Sequence, residues 1–175
     1  MQTAIVLGTA RRQGNTAQLS HHVSRHLANT IPSAQPALFD LADYDIGGYD
    51  YAHGNRSDDF LPLMRRIMAS ERIVLATPMY WYAASSIMKT FFDRLSDLLT
   101  IEKDLGRQLR GKRVALLATG ADLEPPPCFE DVFRLTWQYL GADYEGMLYC
   151  HCAGQYEGAI HDAAVANFAR RLHAR

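Results

Sequence analysis

The sequence predicts an α/β protein: a doubly wound, five-stranded parallel sheet in the order 2-1-3-4-5, with helices on both faces. Three observations predict it. Short apolar runs alternate with longer amphipathic segments along the whole chain. Three of the runs (Ile5-Val6-Leu7, Ile73–Ala76 and Val114–Ala118) are unbroken, as parallel strands covered on both faces require. A glycine-bounded loop joins the first run to the first amphipathic segment.

The strand-like runs are Thr3–Gly8, Ala37–Leu41, Arg72–Thr77, Arg113–Thr119 and Tyr144–Cys150. The helix-like segments are Thr16–Asn29, Ser57–Ser70, Ala84–Leu99, Cys128–Leu140 and Ile160–His173. Within Ala84–Leu99, residues Ile87, Phe91, Leu95, Leu98 and Leu99 recur at helical spacing as a core face, and Lys89 and Asp93 form a solvated i,i+4 pair. Pro125-Pro126-Pro127 is a stiff extended connector into the next helix. Arg170, Arg171 and Arg175 suit the negative end of the last helix. At 175 residues the chain is expected to be one domain over 1–175.

The first loop reads Gly8-Thr9-Ala10-Arg11-Arg12-Gln13-Gly14-Asn15-Thr16. A loop between a buried strand and a helix N-terminus is an anion site, because free N–H groups and the helix dipole both point into it. Thr9, Asn15 and Thr16 add neutral donors, and Arg11 or Arg12 adds charge. Neither G-x-G-x-x-G nor G-K-S/T is present, so dinucleotide and triphosphate loops are disfavoured. Hydroxyls, an amide and backbone donors suit a phosphate monoester, such as that of FMN; the plain alternative is an ordinary βα turn with a capping Thr. Five strands with phosphate on the first βα loop fit the flavodoxin-like order, in which ligands sit beyond the C-terminal strand ends between the first and third strands.

That rule singles out two further loops. Thr77-Pro78-Met79-Tyr80-Trp81-Tyr82 follows the third strand, which Pro78 is expected to end for want of an N–H. Three aromatics and exposed backbone groups suit a flat, hydrogen-bonding ring such as isoalloxazine; packing at the sheet edge or a dimer contact is the alternative. Thr119-Gly120-Ala121 follows the fourth strand, and its glycine allows close backbone approach to a ligand; a simple turn is the alternative.

On these segments the chain resembles the NADPH-dependent FMN reductases and flavodoxin-like NAD(P)H oxidoreductases. The first loop is similar to G-S-x-R-x-x-G-N-T. Thr77–Trp81 and Met88–Arg94 are similar to S/T-P-x-Y-W/F followed by L-K-x-F-x-D-R. The resemblance spans about the first 120 residues. It implies FMN, with the phosphate on the loop of Thr9, Arg11, Gly14, Asn15 and Thr16. It implies ribityl and ring contacts from Pro78, Met79, Tyr80 and Trp81, closed by Thr119 and Gly120. It also implies NADPH or NADH as co-substrate, hydride passage through the flavin to a quinone, free flavin or other small acceptor, and a homodimer. No side-chain acid or base is required for that transfer, so no catalytic residue is assigned. The rival readings are a flavodoxin-type electron carrier, against which a net charge of −1 argues, and a flavin-free binding module of the same fold.

A related branch, the iron–sulfur flavoproteins, carries clustered cysteines before an Asp-Asp pair. Asp58-Asp59 is kept here, but Ile46–Tyr51 holds no cysteine, so no thiolate-held cluster is possible in that segment. The Asp43–Arg56 loop is long for a compact domain, which points to a lid, a partner contact or a mobile surface loop, with Tyr49, Tyr51 and His53 as candidates to face the flavin.

The remaining signals exclude function classes. Near-neutral charge gives no electrostatic basis for nucleic acid or anionic lipid. No apolar run reaches the ~20 residues of a membrane span, and no signal peptide is visible, so a cytoplasmic protein is expected. Three cysteines argue against a disulfide framework, and Cys150 and Cys152 read as small buried groups on one strand face. His22 and His26 have i,i+4 spacing, but no further ligand is evident in sequence; they read as a solvated helix face, and no metal is expected.

Overall fold

The computed structural model describes residues 2–30 and 36–173. Strand β1 (Thr3–Leu7) leads into helix α1 (Asn15–Thr30), and β2 (Ala37–Asp40) into a 3-10 turn at Leu41–Asp43. After a long loop, α2 (Phe60–Met68) precedes β3 (Arg72–Tyr80), the two-residue strand β4 (Ala83–Ala84) and α3 (Ser86–Arg94). Short helices α4 (Asp97–Thr100) and α5 (Lys103–Arg107) lead to β5 (Arg113–Gly120), α6 (Pro127–Tyr139), β6 (Asp143–His151) and α7 (Gly158–His173).

The sheet order is β2-β1-β3-β5-β6, all parallel, with β4 paired antiparallel to the end of β3. Setting β4 aside, this is the expected flavodoxin-like order. The three unbroken apolar runs are the central strands. Ile5, Leu7, Val74, Ala76, Ala115 and Leu117 face α1 and α7; Ala4, Val6, Ile73, Leu75, Val114 and Leu116 face α2, α3 and α6. Each side of these strands is therefore apolar, which is why they read without alternation.

Three expectations change. β3 does not stop at Pro78. It runs through it to Tyr80, with Pro78 beside Thr119 in register, because Met79 and Tyr80 then turn back as a hairpin onto β4. The helix after it breaks near Leu95, so Phe91, Leu95 and Leu98 are buried while Leu99 is exposed. The segment 103–107, unassigned from sequence, is helical. Pro126 is extended and Pro127 opens α6, as the connector requires. Arg170 and Arg171 lie in the last turn of α7, while Arg175 lies outside the described residues.

Candidate functional site

A cavity of ≈ 290 Å³ opens at the C-terminal ends of β1, β3, β5 and β6. Thr9, Arg11, Gly14, Asn15 and Thr16 form its first wall, and Pro78, Met79 and Tyr80 its second. Thr119, Gly120 and Ala121 form the third. Cys152, Ala153 and Gly154, just past β6, form a fourth.

The first wall is a tight turn into α1. The Gly14 amide donates to Arg11 O at 2.9 Å, and a Cβ on Gly14 would lie 2.9 Å from Arg11 Cβ, so glycine is needed for the closure. The earliest amide of α1 with a main-chain acceptor is that of Gln18, on Gly14 O. Among the described residues, the amides of Asn15, Thr16 and Ala17 have no main-chain acceptor, as at any open helix N-terminus. Arg12 turns away, to Asp43 at 2.5 Å and Ala42 O at 3.2 Å. The cation at this wall is therefore Arg11.

Buried polar contacts hold the walls in place. The hydroxyls of Thr16 and Thr119 lie 2.7 Å apart, joining the start of α1 to the end of β5. Ser85 Oγ donates to Gly8 O at 2.7 Å and accepts the Met88 amide, so one hydroxyl caps α3 and fixes the base of the first loop. Gly8 permits this closeness, since a Cβ there would meet Met88 Cβ at 2.8 Å. Asn15 Nδ2 donates to Gly154 O at 2.8 Å, and Asn15 Oδ1 accepts the Tyr156 amide at 3.0 Å. That side chain binds the fourth wall, leaving its main chain for the cavity.

The third wall is anchored from outside. Tyr149 Oη and His151 Nδ1 both donate to Asp122 O, at 2.8 and 2.9 Å. A Cβ on Gly120 would lie 2.5 Å from Tyr149 Oη, so a larger residue there would push the tyrosine tip aside. Burial, reinforced by Cys152, pushes the Cys150 thiol up to about 12, and burial also raises Cys152; both stay protonated near neutrality.

Of the residues expected from sequence, Thr9, Arg11, Gly14, Asn15, Thr16, Pro78, Met79, Tyr80, Thr119 and Gly120 all line this cavity. Trp81 does not. It sits with Tyr82 in the two-residue turn between β3 and β4, and its side chain is 94% exposed. Both residues have positive φ (50° and 61°), the backbone of a primed hairpin turn that normally takes Asn-Gly. Sequence reasoning missed the Cys152–Gly154 wall. The signal was available: that segment also follows the C-terminal end of a sheet strand, and it is small and glycine-containing. Tyr49, Tyr51 and His53 lie outside the cavity lining, and His53 Nδ1 is 2.9 Å from Asp97 Oδ1.

Comparison with known proteins places these features in a family. The sequence model described as NADPH-dependent FMN reductase matches residues 1–125. A Bacillus subtilis protein named as an NAD(P)H-dependent FMN-containing oxidoreductase is 26% identical over 156 residues, covering 83% of this chain and 82% of its own. A Staphylococcus aureus FMN-dependent NADPH-azoreductase is 27% identical over 101 residues, 55% of this chain and 53% of that protein. Among solved structures, an oxidoreductase from Corynebacterium diphtheriae superposes with a TM-score of 0.73 at 19% identity, covering 99% and 96% of the two chains. The Trp repressor binding protein from Bacillus subtilis gives 0.71 at 21% identity, covering 97% and 96%.

Proposed function

We propose, on the premise that the chain belongs to the NADPH-dependent FMN reductase family, that FMN occupies the four-walled cavity and that the protein is an NAD(P)H oxidoreductase using it. When bound, FMN supplies the hydride chemistry that links NADPH or NADH to a second acceptor, such as a quinone, a free flavin or another small oxidant. The residues present fit such a group. The open amides at 15–17, with Thr9 and Arg11, match a phosphate monoester. Pro78–Tyr80 and, on the neighbouring strand, Thr119–Ala121 line the rest of the cavity and offer main-chain groups and apolar surface to a ring.

The observation that carries this reading is the Thr16–Thr119 contact at 2.7 Å. It joins an anion-receiving helix start to the end of β5 within one cavity, so a molecule with a phosphate tail and a flat head would meet both at once. The lining holds no His, Asp or Glu, and its one thiol, Cys152, is kept protonated. The chain's part is therefore to bind, orient and exclude water, with no side-chain proton relay at the ring.

Two further readings belong with this one, taking 1–175 as a single domain. The protein is a homodimer, supported by an outward apolar stripe on α6 (Val132, Leu135, Tyr139) and by the exposed aromatics of the hairpin; light scattering tests it directly. It acts in the cytoplasm on small molecules rather than on nucleic acid or at a membrane. In support, its net charge is −1, its three cysteines are free, and no helix among the described residues is long and apolar enough to cross a membrane.

The test is a visible absorption spectrum of the purified protein with FMN, followed by anaerobic NADPH and then NADH. A flavin spectrum that bleaches with either nucleotide is expected. The double variant Arg11→Ala with Thr16→Ala, which removes the cation of this wall and the hydroxyl that ties it to Thr119, should raise the dissociation constant for FMN at least about 10-fold, since one hydrogen bond to a charged group is worth roughly 1.5–3 kcal/mol. Full flavin occupancy in that folded variant would place the phosphate elsewhere.

A further inference from the structure

Away from the cavity, where α1 packs on α7, three metal-ligating side chains converge. His22 and His26 are one turn apart on α1, and Asp162 projects from the first turns of α7. Asp162 Oδ1 lies 2.9 Å from His22 Nε2 and 3.0 Å from His26 Nε2. The three ligand atoms all fall within 4.8 Å of one another. The solvated helix face expected from sequence is thus corrected at His22, which is 7% exposed and held between two helices.

We propose that His22, His26 and Asp162 bind one divalent transition-metal ion of the zinc class. Two imidazole nitrogens and one carboxylate oxygen are a borderline-soft donor set, which suits zinc and its neighbours and not calcium or magnesium. Tetrahedral ligands at about 2.0 Å from a metal stand roughly 3.3 Å apart. The two Nε2–Oδ1 distances are a few tenths of an ångström short of that and the two imidazole nitrogens lie within 4.8 Å of each other, so the site needs small rotations of exposed Asp162 and of the half-buried His26 ring. Asp162 faces solvent, which leaves room for water to complete the shell.

The outer contacts are those a metal-bound histidine needs. His22 Nδ1 lies 2.7 Å from Tyr156 Oη, a partner that fixes the ring with Nε2 toward the ion. Tyr156 is itself stacked against His161 at 5.1 Å. Its amide donates to Asn15, whose side chain also holds Gly154 at the cavity rim. An ion here clamps α7 to α1 and, through Tyr156, stiffens the segment 154–156. Occupancy depends on the helix pair and not on the flavin, so this site stands or falls separately from the proposed FMN cavity.

The experiment is equilibrium dialysis of chelator-treated, FMN-saturated protein against Zn²⁺, with bound metal counted per chain. One ion per chain is expected. His26→Gln and Asp162→Asn, both at solvent-accessible positions, should each weaken binding at least 10-fold, and Tyr156→Phe about 10-fold. His21→Gln, beside the site on α1, should bind as wild type does. Zinc should raise the midpoint of thermal unfolding of the wild type and leave that of His26→Gln unchanged. No saturable binding, or binding that persists in His26→Gln and Asp162→Asn through the cysteines, would overturn the assignment.

Discussion

Residues 44–59 meet the C-terminal end of α3, and residues 79–84 run into its N-terminal end. Both leave the strand–helix rhythm, yet they are held in opposite ways. In sequence the first, long for a compact domain, reads as a lid, a partner contact or a mobile surface loop. In the structure it is tied down. Arg94, fully buried, donates through Nε to Asp97 at 2.7 Å, through Nη1 to Gly47 O at 3.0 Å and through Nη2 to Asn55 O at 3.2 Å. Both terminal nitrogens also reach Asp58. Asp58 in turn accepts the amides of Gly47 and Phe60, and Asp59 pairs main chain and side chain with Asp45. One guanidinium thus closes both ends of the loop. Among the described residues the aromatic hairpin has no comparable anchor at its tip: Trp81 and Tyr82 are exposed and left-handed. Loop length says little about order; what decides it is whether a buried, fully satisfied charge reaches in from a neighbouring element.

The most damaging way to break this contrast is Arg94→Ala. It removes the staple and leaves buried Asp97 and half-buried Asp58 without their shared cation. Breaking a buried pair from one side costs about 3–5 kcal/mol. Urea unfolding should show a loss of that size, with hydrogen exchange accelerating first across 47–58. A loss below about 1 kcal/mol would mean that the loop is held by its own main-chain turns.

An opposite and smaller effect is expected at the hairpin. Left-handed backbone costs a non-glycine residue roughly 1–2 kcal/mol. Tyr82→Gly should therefore stabilise the monomer by about 1 kcal/mol, read as a higher urea midpoint at unchanged slope. The same substitution sharpens the comparison. If the aromatic tip is seated on a second copy, the variant gains monomer stability while its dimer weakens. A variant less stable than wild type at every concentration would show that Tyr82 packs more than its exposure suggests.

What was legible in the sequence follows from how local each cause is. The central strands were legible because both their faces are apolar, so Ile73–Ala76 and Val114–Ala118 need no partner to be recognised. The cavity was legible because three of its walls follow strands whose ends carry Gly, Thr or Pro. The hairpin was not, since Trp81-Tyr82 contradicts the residue preference of the turn it makes. Nor was the role of Arg94. Local spacing drew attention to Lys89 and Asp93, an exposed pair, while the loop partners of Arg94 lie 36, 39 and 47 positions away. Asp162 was hidden from His22 for the same reason, at a separation of 140.

The smallest effect sharpens the comparison from the anchored side. Burial pushes the Asp58 carboxyl up, but bonds from Arg94 and from the amides of Phe60 and Gly47 outweigh it, and the group stays below its ordinary value of 3.8. A carboxyl depressed in the folded state supports the fold above its unfolded value, and that support drains away as pH falls through the folded one. Wild-type stability should therefore fall more steeply than that of Asp58→Asn between about pH 5 and pH 2. Other depressed carboxyls, such as Asp50, titrate equally in both proteins and cancel in the difference. Because Asp58 accepts the amides of Gly47 and Phe60, the extra acid sensitivity should appear as early exchange at those two and leave the hairpin unmoved. Equal slopes in the two proteins would mean that Asp58 holds its proton as readily folded as unfolded, and that Arg94 keeps the loop through Asp97 and the carbonyls instead.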